Sequence, residues 1–224
     1  MKMNGSATFL AVLLGTAGCN TADIGPVNAE NLFPLENGRT LVFRTSRDGR
    51  KESITFTKDE RSAAFWSMRL SGTYAGEETW FLGRDEKGIN LLAIGVGHGA
   101  IGIDPPLLLI PKTVTDGISW LSRGTVKPVK GHTGEMPEIQ FSLAGSRSWT
   151  DIVVGEATYK ARQVDFRMTS GKSPAEERIR RGEARAVLWL VPGTGIIKLQ
   201  NGTIRSDTNS VWPQDNWELL EAKK

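Results

Sequence analysis

Apolar and polar residues alternate along this chain with a period of two, and few stretches repeat at the 3.6 residues of a helix. From Thr40 to Ser46, Leu41 and Phe43 fall on one side and Val42 and Arg44 on the other. Successive strand side chains point to opposite faces, so this pattern predicts a strand with one apolar face. Asp48-Gly49 follows and predicts a tight type I′ turn, whose positive φ angles Gly and Asp tolerate. The return strand spans about Lys51 to Thr57, with Ile54 and Phe56 on one face. Similar runs bounded by Gly, Asp and Pro predict strands at Ala63–Leu70, Glu78–Leu82, Ile89–Val96, Trp120–Val129, Glu138–Leu143, Trp149–Val154, Lys160–Met168, Ala184–Val191 and Gly195–Gln200. With 25 glycines to form the turns between them, these runs imply an all-β, mainly antiparallel domain.

Two segments depart from this pattern. Pro105-Pro106-Leu107-Leu108-Leu109-Ile110-Pro111 is an apolar run clamped by prolines. Proline disfavours a helix and removes a ladder donor, so the run is expected as an edge or crossover segment. Ser173-Pro174-Ala175-Glu176-Glu177 carries the marks of a helix start: a capping Ser, Pro in the first turn and acids near the positive dipole end. Such a helix would be short and stop by Gly182.

Cys19 is the single cysteine. Before it stand a positive Lys2, the apolar stretch Phe9 to Leu14 and the small residues Gly15-Thr16-Ala17-Gly18, the layout of a signal peptide. The last four residues and the cysteine resemble a lipobox, with Thr16 where a branched aliphatic residue is usual. We therefore expect residues 1–18 to be a signal peptide, 19–30 a lipidated cysteine and tether, and 31–224 a β-rich domain. Acyl chains on Cys19 would hold the protein on a membrane stably, since each buried methylene contributes about 0.8 kcal/mol. The apolar stretch is far short of the ~20 residues of a transmembrane helix. Asn20 lacks the negative charge that retains some lipoproteins in the inner membrane. The expected address is the cell envelope, at the outer membrane facing the periplasm. With its thiol acylated, the domain has no disulfide and must be held by its core. Loss of Lys2 leaves 27 basic against 25 acidic residues, without the clustering a nucleic-acid surface needs.

The motifs that could carry chemistry are weak. Gly97-His98-Gly99-Ala100-Ile101-Gly102 has the letters of GxGxxG, but the dinucleotide motif must open a helix, and Pro105-Pro106 follow at once. A hairpin or bulged loop is the expectation. His98 and His132 sit in glycine-rich surroundings without metal-ligand spacing. No GxSxG elbow is present. Glu77-Glu78 and Glu176-Glu177 are adjacent in sequence, and on a strand such neighbours point to opposite faces. Arg178, Arg180, Arg181 and Arg185 interleave with Glu176, Glu177 and Glu183 and read as a solvated face. No cofactor, metal or catalytic residue is expected.

Several phrases resemble a group of uncharacterised bacterial lipoproteins. They are Phe33-Pro34-Leu35 with Gly38 and Leu41-Val42-Phe43; Pro105-Pro106 with Ile110-Pro111 and Gly117-Ile118-Ser119-Trp120; Gly155 to Ala161; and Leu188 to Lys198. The resemblance implies a single curved, mainly antiparallel sheet, an open half-barrel or sandwich-like form loosely similar to periplasmic lipoprotein carriers. It brings no established activity.

The expected function is non-enzymatic: a lipid-anchored envelope lipoprotein that binds or carries a hydrophobic ligand, or else a scaffold that docks other envelope proteins. A carrier needs an apolar concave face, for which Trp66, Trp80 and Trp120 are the lining candidates. A scaffold needs an exposed apolar patch, for which Leu107, Leu108, Leu109 and Ile110 are the candidates.

Overall fold

A computed structural model describes residues 24–73, 76–96, 99–127, 139–170, 182–205 and 215–223. Cys19 and the residues before it, His98, His132 and the segment 171–181 with its expected helix lie outside these.

The strands run in chain order as β1 (Val27–Asn28), β2 (Thr40–Thr45), β3 (Lys51–Lys58), β4 (Phe65–Thr73), β5 (Gly76–Asp85), β6 (Gly88–Val96), β7 (Gly99–Pro111) and β8 (Thr113–Val114). They continue as β9 (Trp120–Val126), β10 (Ile139–Gly145), β11 (Thr150–Val154), β12 (Ala157–Ser170), β13 (Gly182–Val191), β14 (Gly195–Arg205) and β15 (Asp215–Lys223). One helical turn, α1 (Ala29–Leu32), is capped by Asn28, whose side chain accepts from the Asn31 N–H at 2.7 Å.

The main sheet is antiparallel throughout, in the order β10-β9-β7-β6-β5-β4-β3-β2-β15-β14-β13-β12. Its two edges then meet: β10 also pairs with β12, from Ile139↔Ser170 to Gly145↔Val164, closing a twelve-stranded barrel. The first half of β12 instead carries β11, so the β11–β12 hairpin projects as an arm beyond the closure.

A round barrel of this size would leave a lumen, whereas one of about eight strands just fills with side chains. This barrel is flattened. Trp80 of β5 meets Phe166 of β12 with ring centroids 5.2 Å apart, although five strand pairings separate these strands around the wall. Phe166 in turn stacks on Phe141 at 6.3 Å. The alternation seen in the sequence supplies the filling, with Leu41, Phe43, Ile54, Phe56, Met68 and Leu70 pointing inward and buried.

The predicted tether contributes to this packing. Val27 is buried and pairs with Val114, and Ala29 is buried too, so the domain begins before residue 31. Leu32 and Phe33 are buried in the core, and Phe33 meets Phe56 edge-on at 5.7 Å. The Gly193 N–H donates to the Asn31 carbonyl at 2.8 Å, and Arg39 donates to the Thr194 carbonyl at 2.7 Å. Residues 31–39 thus meet the Pro192–Gly195 turn in space.

Three local expectations need correction. The Asp48-Gly49 hairpin is wider than a type I′ turn: Thr45 and Arg50 flank four loop residues, and Gly49 supplies the positive φ of 70°. Asp48 fastens the loop by accepting from the Thr45 hydroxyl at 2.7 Å and the Arg50 N–H at 3.1 Å. The proline-clamped run belongs to β7, an interior strand between β6 and β9. Its prolines fit because the β7–β9 backbone ladder ends at Ile103↔Val126 and Asp104↔Thr125. Beyond that point side chains replace the ladder: Leu108 N–H donates to Ser122 Oγ at 3.0 Å, and Trp120 Nε1 donates to the Leu109 carbonyl at 3.2 Å. Finally, β15 falls in a stretch where no strand was expected.

Candidate functional site

Leu91 pairs with Leu107 and Ala93 with Gly102, so residues 103–106 of β7 bulge opposite Leu92 alone. Bulges re-aim side chains and gather near functional surfaces. This one turns Asp104 and Pro105 to the rim of a groove of about 550 Å³, lined also by Arg123, Gly124, Thr125, Gln140, Phe141, Ser142 and Thr169. Gly124 is required here, because a Cβ on it would fall 2.5 Å from the Pro105 carbonyl oxygen.

Strand register orders the outward side chains into two rows. Asp104, Thr125, Gln140 and Thr169 are successive cross-strand partners on β7, β9, β10 and β12. Beside them run Arg123, Ser142, Arg167 and Arg185. The Thr125 hydroxyl donates to the Asp104 carbonyl and the Thr169 hydroxyl to the Gln140 carbonyl, tying the strands together. Arg167 and Arg185 converge on Asp165, and Arg185 Nε lies 3.1 Å from both carboxylate oxygens. Burial pushes the Asp165 carboxyl up, and the two arginines outweigh it and hold the group below its ordinary value. The Asp104 carboxylate, Arg123 guanidinium, Gln140 amide and Ser142 hydroxyl make no hydrogen bond or ion pair with the described residues.

The three tryptophans expected to line a cavity pack in or against the core. Trp66 and Trp80 belong to the main core, and Trp80 Nε1 donates to Glu78 Oε1 at 2.5 Å. Trp120 is half-buried against that core. Arg162, wholly buried, lies between Trp120 and Trp149, 5.7 Å from each ring centroid. It donates to the carbonyls of Thr115 and Ile118 and sits 3.7 Å from Asp116. Burial lowers its pKa, and Asp116 opposes that shift.

The expected partner patch is not a surface. Leu107, Leu109 and Ile110 are buried in the core and Leu108 is half-buried; a second register shift, between Ile89↔Ile110 and Asn90↔Leu108, falls at the two adjacent buried residues. Among the described residues the exposed large apolar ones are Phe65, Phe81, Ile118, Leu121, Val153 and Leu220. Arg185, read as part of a solvated face, is engaged with Asp165. Gly99 to Gly102 form strand, and Val96 pairs with Gly99 in the hairpin expected there.

A second groove, of about 190 Å³, lies beside α1 and the residues after it, and carries the Glu30–Arg84 ion pair. Among the described residues no group of three or more His, Cys, Asp or Glu is placed to hold a metal ion. No helix among them is long and apolar enough to cross a membrane.

The groove residues escaped the sequence reading because they form no motif. They are alternate residues on four strands, brought together by register alone.

No protein-family profile and no curated protein matches the chain. Two solved structures are similar in part. One is a lipoprotein candidate from Parabacteroides distasonis, with 12% identity and a TM-score of 0.33, covering 85% of this chain and 97% of its own. The other is a candidate exported protein with a YmcC-like fold from Bacteroides fragilis, with 11% identity and a TM-score of 0.31, covering 86% and 99%. Likeness at this level carries no argument about activity or ligand.

Proposed function

We propose that this protein is an envelope lipoprotein, anchored through Cys19, that binds a small polar ligand in the β7–β9–β10–β12 groove without chemical turnover. One observation carries the reading: the unengaged polar side chains of this wall gather in the groove, while opposite walls of the barrel touch at Trp80 and Phe166. A hydrophobic cargo inside the barrel is the weaker reading, since Trp66 and Trp80 pack against their neighbours. Binding is favoured over catalysis by the composition of the groove. Among the described residues it holds one carboxylate, no imidazole and no thiol. The anchor rests on the lipobox-like residues before Cys19, and the outer membrane on Asn20 after it.

Two measurements test the reading. Cys19→Ser is expected to move the protein from the membrane fraction to the soluble one; sedimentation unchanged by the substitution contradicts the anchor. Native mass spectrometry of protein released from its own envelope is expected to show an adduct that water extracts. An adduct that only organic solvent extracts restores the hydrophobic-cargo reading.

A further inference from the structure

Two opposite charges share the groove without meeting. Asp104 pairs in register with Thr125, and Arg123 stands two residues from Thr125 on the same strand. That makes Asp104 and Arg123 diagonal neighbours, about 7–8 Å apart at their backbones. Both side chains are exposed and long enough to reach one another, yet neither makes an ion pair with the other or with another described residue. On the far side of β9 from Asp104 lie two unengaged groups of β10, the Ser142 hydroxyl opposite Arg123 and the Gln140 amide opposite Thr125. The neighbouring arginines do not neutralise Asp104, because Asp165 holds both.

We propose that the groove recognises a short zwitterionic peptide of about two residues. Its ammonium group sits at Asp104 and its carboxylate at Arg123, where the Ser142 hydroxyl on the neighbouring strand adds a donor. The two flexible side chains can splay apart to flank such a ligand, whose two extended residues span about 7 Å. Arg123 offers a planar fork that matches a carboxylate, and Asp104 offers acceptors only, as an ammonium group needs. A wholly anionic ligand would face repulsion from Asp104, and a wholly cationic one from Arg123. This inference rests on the groove being the binding site, and names the ligand class for it.

The test is calorimetric titration of the full-length protein in detergent with alanyl-alanine, N-acetyl-alanyl-alanine and alanyl-alaninamide. The free dipeptide is expected to bind, and each singly capped form to bind about tenfold more weakly or less. Arg123→Gln is expected to weaken the free dipeptide by a similar factor and to leave the amide unchanged. Asp104→Asn is expected to do the same for the free and acetylated forms. Because the caps are on the ligand, the result does not depend on how well a variant folds. Equal binding of the free and capped peptides, still lost in Arg123→Gln, overturns the charge reading and leaves the groove as a polar binding site. Tighter binding of O-phosphoethanolamine than of the dipeptide overturns the peptide assignment. No heat with any probe overturns the inference, and a protein that also carries no adduct in native mass spectrometry removes the groove reading with it.

Discussion

Trp120 lies flat over Gly145, its direct cross-strand partner: a Cβ added to the glycine would stand 2.3 Å from three ring carbons. The ring cannot swing away cheaply, because its Nε1 is tied to the Leu109 carbonyl and Arg162 packs on its face. Gly145→Ala should therefore destabilise the protein by about 1–3 kcal/mol, as overpacking does. In a Trp120→Ala background the same change should cost almost nothing. Urea titrations of the four proteins measure the coupling, and additivity of the two changes would show that the ring does not hold this position.

Arg162 should prove replaceable by volume better than by nothing. Arg162→Ala leaves a gap between two indoles and is expected to cost about 2–4 kcal/mol. Arg162→Met fills much of that gap and removes a buried charge whose Nε and Nη1 have no hydrogen-bond partner. Its cost should be below about 1.5 kcal/mol, since apolar replacement of buried ionic groups is often nearly neutral. Equal losses in the two variants, by chemical denaturation, would make the guanidinium itself the stabilising element.

Glu78 gives the barrel a pH-dependent weakness. Burial raises its pKa, and the hydrogen bond from Trp80 offsets only part of that rise. A carboxyl raised on folding ionises first in the unfolded chain, so its contribution is lost as pH climbs from the ordinary carboxylate range towards the raised value. Glu78→Gln keeps an acceptor for Trp80 and removes the charge. Its melting temperature should exceed the parent's at pH 7 and match it near pH 3, at about which both states are protonated. A lower melting temperature at pH 7 would reverse the sign of the argument.

Deletion of residues 184–200 should abolish cooperative folding. It removes nearly all of β13 and the first half of β14, including the Pro192-Gly193 turn that fastens Asn31. It also strips the partners from β12 on one side and β15 on the other. A soluble truncation with a single sharp thermal transition would show that the hairpin is an accessory.

The strands were legible where one face is apolar and the other polar. Leu41/Phe43 and Ile54/Phe56 sit inward as their alternation requires. β7 was obscured because its bulge switches the period, so Pro105 and Pro106 read as an interruption. β15 was missed because Asp215, Asn216 and Glu218 surround Trp217 and the adjacent Leu219-Leu220 breaks the alternation, though Trp217 is buried against Phe43 at 6.0 Å. Closure of the sheet was beyond the pattern, since β10 and β12 carry no signal of whether they pair. The groove was beyond it for the same reason: Asp104 and Arg123 become neighbours only when Asp104 is set opposite Thr125. The tryptophans' place was open in the sequence, since a large apolar ring suits a flattened core as well as a cavity lining.

The pairing of β15 with β2 has a consequence for how the chain is made. Trp217 meets Thr45 and Lys223 meets Thr40, so the barrel joins strands separated by most of the sequence. During synthesis β2 emerges early and waits, with one side paired to β3 and the other bare. An unpaired strand edge is a template for aggregation, and the exposure lasts until β15 is released. At about 5–20 residues per second, that interval is on the order of ten seconds or more. A chain of this topology would draw benefit from any factor that holds it unfolded until its most C-terminal strand is free.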